Sequence, residues 1–139
     1  MSLIDLQTEL IAKRNSLSSE KSKLRDYKNK ADALEKLYNR MKSKKEDMKD
    51  MKKDMVSFAH KEYNDWKGNV FDTRYQDKLK NDLVDSKFTK IIQIIDNNLD
   101  AINAERTRYQ NKILNTQGLI GRIEAAINSL VTEIENWFN

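Results

Sequence analysis

The chain has 139 residues, the size of one ordinary domain; with 35% charged residues and a mean hydropathy of −0.85 it holds too little apolar material for a thick globular core. It has no cysteine, which excludes a disulfide framework and a cysteine metal site, and no proline, which with only three glycines favours long helices over sheet. The net charge of +4 is uneven: residues 1–66 carry 16 basic and 12 acidic side chains, and residues 67–139 carry 10 of each.

The N-terminal stretch "MSLIDLQTEL" lacks a basic leader followed by an apolar block, so no cleaved secretory signal is expected. No segment approaches the roughly 18–20 apolar residues that span a bilayer, and no stable membrane insertion is expected. A first helix is predicted over about 2–64. Leu3, Leu10, Leu17, Leu24, Ala31 and Tyr38 recur every seven residues, and Tyr27, Leu34, Met41, Met48 and Met55 run beside them. The first series then meets Lys45 and Lys52, while Met51, Phe58 and Trp66 offer apolar alternatives. On this reading the stripe drifts around the helix near residues 44–53.

Between the halves stands "DWKGNVF", residues 65–71. Gly68 is costly in a helix and cheap in a turn, and Asn69 follows as an N-cap candidate with Asp72 three residues on. The turn is placed at about 65–69, with Trp66 laying its ring across the start of the second helix. That helix is predicted over about 70–138. Phe71, Tyr75, Leu79 and Leu83 open its stripe, and the phase slips by one residue before Phe88. From Phe88, alternate steps of four and three reach Ile92, Ile95, Leu99, Ile102, Arg106, Tyr109, Ile113, Thr116, Ile120, Ile123, Ile127, Leu130, Ile134 and Trp137. Thirteen of these fifteen positions are apolar or aromatic, a coiled-coil seam. A short break between two amphipathic helices brings the second back on the first. The expected fold is therefore all-α, a long antiparallel two-helix hairpin with nearly equal arms. Leu10, Leu17, Leu24, Ile95, Leu99, Ile102, Ile113 and Ile127 stand on its seam, with Leu3 near Ile134 and Leu24 near Tyr109 or Ile113.

Arg106 interrupts the seam. Its stem packs while the guanidinium reaches outward, or it forms a register-setting ion pair with an acid of the first helix, such as Asp26 or Asp32, or with a partner. Gly118 and Gly121 mark either a local weakness or a place for another helix to approach closely. Trp137 and Phe138, flanked by Glu133 and Glu135, read as hairpin or partner contacts rather than a membrane anchor.

Catalytic, cofactor and metal sites are not expected. His60 is the one histidine, "TQGLIG" at 116–121 lacks the lysine of a phosphate loop, and the carboxylates lie among lysines. The basic residues of "KSKKEDMKDMKKD", 42–54, alternate with acids as on a solvated helix face, so nucleic acid is not the expected partner.

Trp66-Lys67-Gly68, between two antiparallel helices, resembles the Trp-x-Gly superfamily of small helical hairpins exported by type VII secretion systems. The likeness in architecture covers the whole chain; the motif covers three residues. The chain is longer than the commonest members and lacks their Tyr-x-x-x-Asp/Glu export signal: Tyr109 is followed four residues later by Ile113, and the tail reads "EIENWFN". In both respects it looks more like the accessory hairpins encoded beside LXG-domain toxins. The resemblance implies a binding subunit made in the cytoplasm that pairs with the helical LXG domain of a toxin or a second small hairpin. It implies export in complex with that cargo, without a cleaved signal peptide. A cytoplasmic coiled-coil scaffold or homodimer is the alternative. Ile91, Ile94, Leu114, Leu119 and Val131, beside the seam, widen the apolar stripe and are the expected partner-facing residues.

Overall fold

The computed structural model describes residues 2–65 and 86–139, with side chains placed for 2–58 and 86–139. The turn motif, Trp66 and Gly68, and the expected opening of the second helix from about residue 70 lie outside the described residues. Among the described residues there are two helices and no strand. Helix α1 spans Leu3–Asp65 and helix α2 spans Thr89–Trp137.

A reciprocal cap starts α1. The Asp5 amide donates to Ser2 Oγ at 3.2 Å, the Ser2 amide donates to Asp5 Oδ2 at 3.2 Å, and the Leu6 amide donates to the Ser2 carbonyl at 3.1 Å. Donors that would otherwise lack partners in the first turn are thereby satisfied. The hydrogen bonds from Ser2 hold the Asp5 carboxyl below its ordinary pKa. No glycine or proline interrupts the 63 residues of α1. A turn of wider, π-type winding at residues 86–88 leads into α2. Such a turn absorbs one extra residue, and it stands where the apolar stripe of the sequence slips by one. At the other end, tighter bonds from the Phe138 amide to the Glu135 carbonyl and from the Asn139 amide to the Asn136 carbonyl close the helix.

The chain forms two compact units: Met1–Leu34 with Glu105–Asn139, and Glu35–Ala104. In each, a stretch of α1 runs antiparallel to a stretch of α2, the pairing of a helical hairpin. In the first unit Tyr27 meets Tyr109, one turn along from the expected neighbourhood of Leu24. In the second, Lys45 meets Asp96 and Lys52 meets Thr89.

The packed face of α1 is a heptad seam. Taking Leu3 as position a and Leu6 as d, every a and d residue through Met55 is buried or half-buried, including Leu10, Leu17 and Leu24. The expected drift of this stripe near residues 44–53 is overturned. Lys45 and Lys52 keep their a positions, half-buried, while Met51 and Phe58 are 51% and 50% exposed. The physical reason is that a lysine stem packs like an aliphatic chain while its ammonium reaches a polar atom at the edge of the seam. Asp96 and the Thr89 hydroxyl supply those atoms, with Lys52 Nζ donating to Thr89 Oγ1 at 3.4 Å.

In α2, taking Ile92 as a and Ile95 as d, the seam from Phe88 to Ile134 is buried or half-buried throughout. Ile95, Leu99, Thr116, Ile120, Ile123 and Leu130 are buried, and Ile102, Arg106, Ile113 and Ile127 are half-buried. Trp137 departs from the expected seam, being 53% exposed. The seam carries the helices, because amphipathic helices of this kind gain most of their stability from packing rather than from propensity.

Candidate functional site

In the first unit an aromatic clasp joins the helices. The Tyr27 and Tyr109 rings lie 6.1 Å apart between centroids, tilted at 47°. Lys112 Nζ stands 5.0 Å from the Tyr109 centroid and 5.5 Å from that of Tyr27, with Lys30 Nζ at 5.6 Å and the Arg108 guanidinium at 5.3 Å from Tyr109. Cations over aromatic faces contribute about 0.5–1 kcal/mol each at exposed sites. Glu105 accepts from Arg108 at 2.8 Å, which fixes the guanidinium and pushes its pKa further up. The tyrosines hold d positions, and Lys30 and Lys112 hold g positions. The clasp therefore sets the g rows of both helices on the same side of the seam.

In the second unit the ties fall on the other side. Lys45 and Lys52 are a residues, and Asp96 and Thr89 are e residues of α2. The g and neighbouring c rows are left facing away, and apolar residues gather there. On α1 these are Leu37, Met51 and Phe58, and on α2 Ile91 and Ile94; Ile94 is 58% exposed and Ile91 42%. This flank carries exposed apolar residues on both helices, with Lys44, Asp47 and Asp54 among them on α1, and these apolar residues are uncovered among the described residues. Monomeric proteins rarely leave extended apolar patches wet, and those that persist mark interaction sites.

The five residues expected to face a partner do not form one stripe. Ile91 and Leu119 are g residues and Ile94 is c, whereas Val131 is e and Leu114 is b, on the opposite flank of α2. Leu119 and Val131 are half-buried beside the seam, and Leu114 is 65% exposed. Met51 and Phe58 of α1, in line with Leu37, were the missing contributors. Their signal is a seven-residue spacing from Leu37 through position 44, which reading Met51 and Phe58 as replacements for the seam lysines concealed.

On the e and b flank of the first unit, Ile4 and Ile11 of α1 are 73% and 60% exposed. A shallow groove of about 240 Å³ follows on the same helix, lined by Lys21, Leu24, Arg25, Lys28 and Asn29. Lys21, Arg25 and Lys28 make no ion pair among the described residues.

Among the described residues no group of three or more histidine, cysteine, aspartate or glutamate side chains could hold a metal ion. No described helix is long and apolar enough to cross a membrane. The side chain of His60 lies outside the described set, as do Trp66 and Gly68, the residues that carry the family resemblance. No protein-family model, curated protein or solved structure matches the chain.

Proposed function

We propose that this chain is a non-catalytic helical binding subunit that pairs with a cargo of a type VII secretion system, the LXG domain of a toxin, and accompanies it for export. The observation that carries the reading is the apolar flank of the second unit, where Leu37, Met51 and Phe58 of α1 join Ile91 and Ile94 of α2 outside the packed seam. A pair of helices uses one stripe of each helix on the other; a second apolar row on both is suited to a third helix laid along them. The antiparallel pairing of α1 and α2 supports the family resemblance of Trp66-Lys67-Gly68, and the resemblance supplies the identity of the cargo.

Co-purification with the product of an adjacent LXG-toxin gene tests the proposal. Ile91→Asp and Ile94→Asp are expected to abolish the complex and leave circular-dichroism helicity largely intact. A chain that stays monomeric at high concentration, melts cooperatively and takes up no such product would refute the reading. Self-association through the same flank with no cargo bound would replace it with a homodimeric scaffold.

A further inference from the structure

The first unit carries a second surface, of different chemistry from the apolar flank of the second. Arg14, Lys21 and Lys28 are successive e residues of α1, and Arg25 is the b residue between the last two. All four are exposed. The antiparallel register fixed by Tyr27 and Tyr109 brings Gln117 and Gln110, e residues of α2, to the levels of Lys21 and Lys28. Both are uncharged. The nearest acid in that row is Glu124, at the level of Arg14. Positive charge on Lys21, Arg25 and Lys28 is therefore uncompensated by the facing row of α2, while Lys23, on the other flank of α1, is paired with Glu20 at 3.2 Å. Apolar residues border the basic stretch on the same flank: Ile4 and Ile11, seven residues apart on α1, and Leu114 on α2.

We infer that this flank binds an acidic amphipathic helix of a partner protein, its apolar stripe meeting Ile11 and Leu114 and its carboxylates meeting Lys21, Arg25 and Lys28. Two features favour a helix over an anionic membrane surface. The exposed apolar residues of this flank run from Ile4 and Phe138 at the end of the pair, through Ile11, to Leu114 at the level of Arg25, and so are not confined to the tip; Ile4 and Ile11 keep a heptad spacing that a helix reproduces. Glu124 and Glu135 occupy e and b positions on the same side of α2; a bilayer would repel them, whereas a helix can present a base at those levels and acids elsewhere. Electrostatic complementarity of this kind selects the partner and sets its register. The surface is separate from the one on which the proposed cargo pairing rests, so each stands or falls by its own residues.

The test uses the full chain and two synthetic peptides of roughly four heptads, one with leucine on its seam and glutamate on its flanks, the other with lysine in place of glutamate. Fluorescence anisotropy is expected to show binding of the glutamate peptide, weakened by salt, and none of the lysine peptide. Reversing three contacting charges in K21E/R25E/K28E is expected to lower the affinity about tenfold or more. Leu114→Asp is expected to act in the same direction. Circular-dichroism helicity stays at the native level in both variants, since these residues lie outside the seam. Equal binding of the two peptides, or binding that K21E/R25E/K28E leaves intact, would overturn the inference. Binding of the glutamate peptide that Ile94→Asp abolishes and K21E/R25E/K28E spares would move the site to the other flank, overturning this assignment and leaving the proposed cargo pairing in place. Sedimentation with phosphatidylglycerol vesicles through the same three residues, without peptide binding, would assign the flank to lipid instead.

Discussion

Lys45 shows how a charged residue holds a place in an apolar seam. Its stem lies among the packed side chains while Nζ pairs with Asp96, and that hydrogen bond raises the lysine pKa above its ordinary value. A raised folded-state pKa means that the pair's stabilisation is fully present below the unfolded value, ~10.4, and is lost as pH rises through the folded one. Thermal melts are expected to fall in midpoint above about pH 10.5. Lys45→Met should remove that part of the alkaline loss. At neutral pH the same substitution should not lower the midpoint, because an apolar side chain of similar length replaces a partly desolvated ion pair. Lys45→Ala should lower it, since the packed stem is lost as well. An alkaline limb identical in the native chain and Lys45→Met would show that the ion pair contributes nothing to folding.

At the scale of the helix, α2 was legible in the sequence and α1 only in part. Isoleucine and leucine recur so densely from Phe88 to Ile134 that the pattern identifies the buried face, and every seam position in that interval is buried or half-buried. The α1 seam is spelled with Lys13, Glu20, Lys45 and Lys52 among its leucines, tyrosines and methionines. A pattern reading that demands apolar letters loses the phase there, although the backbone does not. The cap formed by Ser2 and Asp5 was legible too, as a serine followed three residues later by a carboxylate, and was overlooked. Both described glycines sit inside α2 with helical backbone, and an added Cβ at Gly118 or Gly121 would meet nothing within 4 Å. Neither is therefore required by packing among the described residues. Alanine at either position is expected to stabilise by about 0.5–1 kcal/mol, the helix-propensity gap between the two residues. Thermal or urea melts of the isolated chain measure this directly. A destabilised Gly121→Ala would reveal a constraint absent from the structure.

Across the whole molecule the two units differ in what holds them. The first has Leu6, Ile120, Ile123 and Leu130 buried, with the Tyr27–Tyr109 clasp across the pair. The second has Ile95 and Leu99 buried on α2, facing an α1 seam made of Met41, Lys45, Met48, Lys52 and Met55. Fully buried aliphatic side chains contribute about 1.5–3 kcal/mol each relative to exposure, so among the described residues the helix pair of the first unit is the better anchored. Native-state hydrogen exchange is expected to show the amides of residues 36–55 opening at lower free energy than those of residues 113–134. Uniform protection along both helices would mean that the chain opens only as one cooperative piece.

The methionine seam has a further consequence, in oxidative chemistry. The chain has no cysteine, so its five methionines are its only oxidisable sulfurs. Met51 is 51% exposed and outside the seam, while Met41, Met48 and Met55 are half-buried within it. Conversion of a thioether to a sulfoxide turns a pliable apolar chain into a polar one. Mild peroxide should therefore mark Met51 before Met41, Met48 and Met55, with little change in helicity, and further oxidation at Met48 and Met55 should loosen the second unit while the first stays folded. Peptide mapping alongside circular dichroism follows both stages. Leucine at positions 48 and 55 should leave Met51 as reactive as before and protect the melting transition.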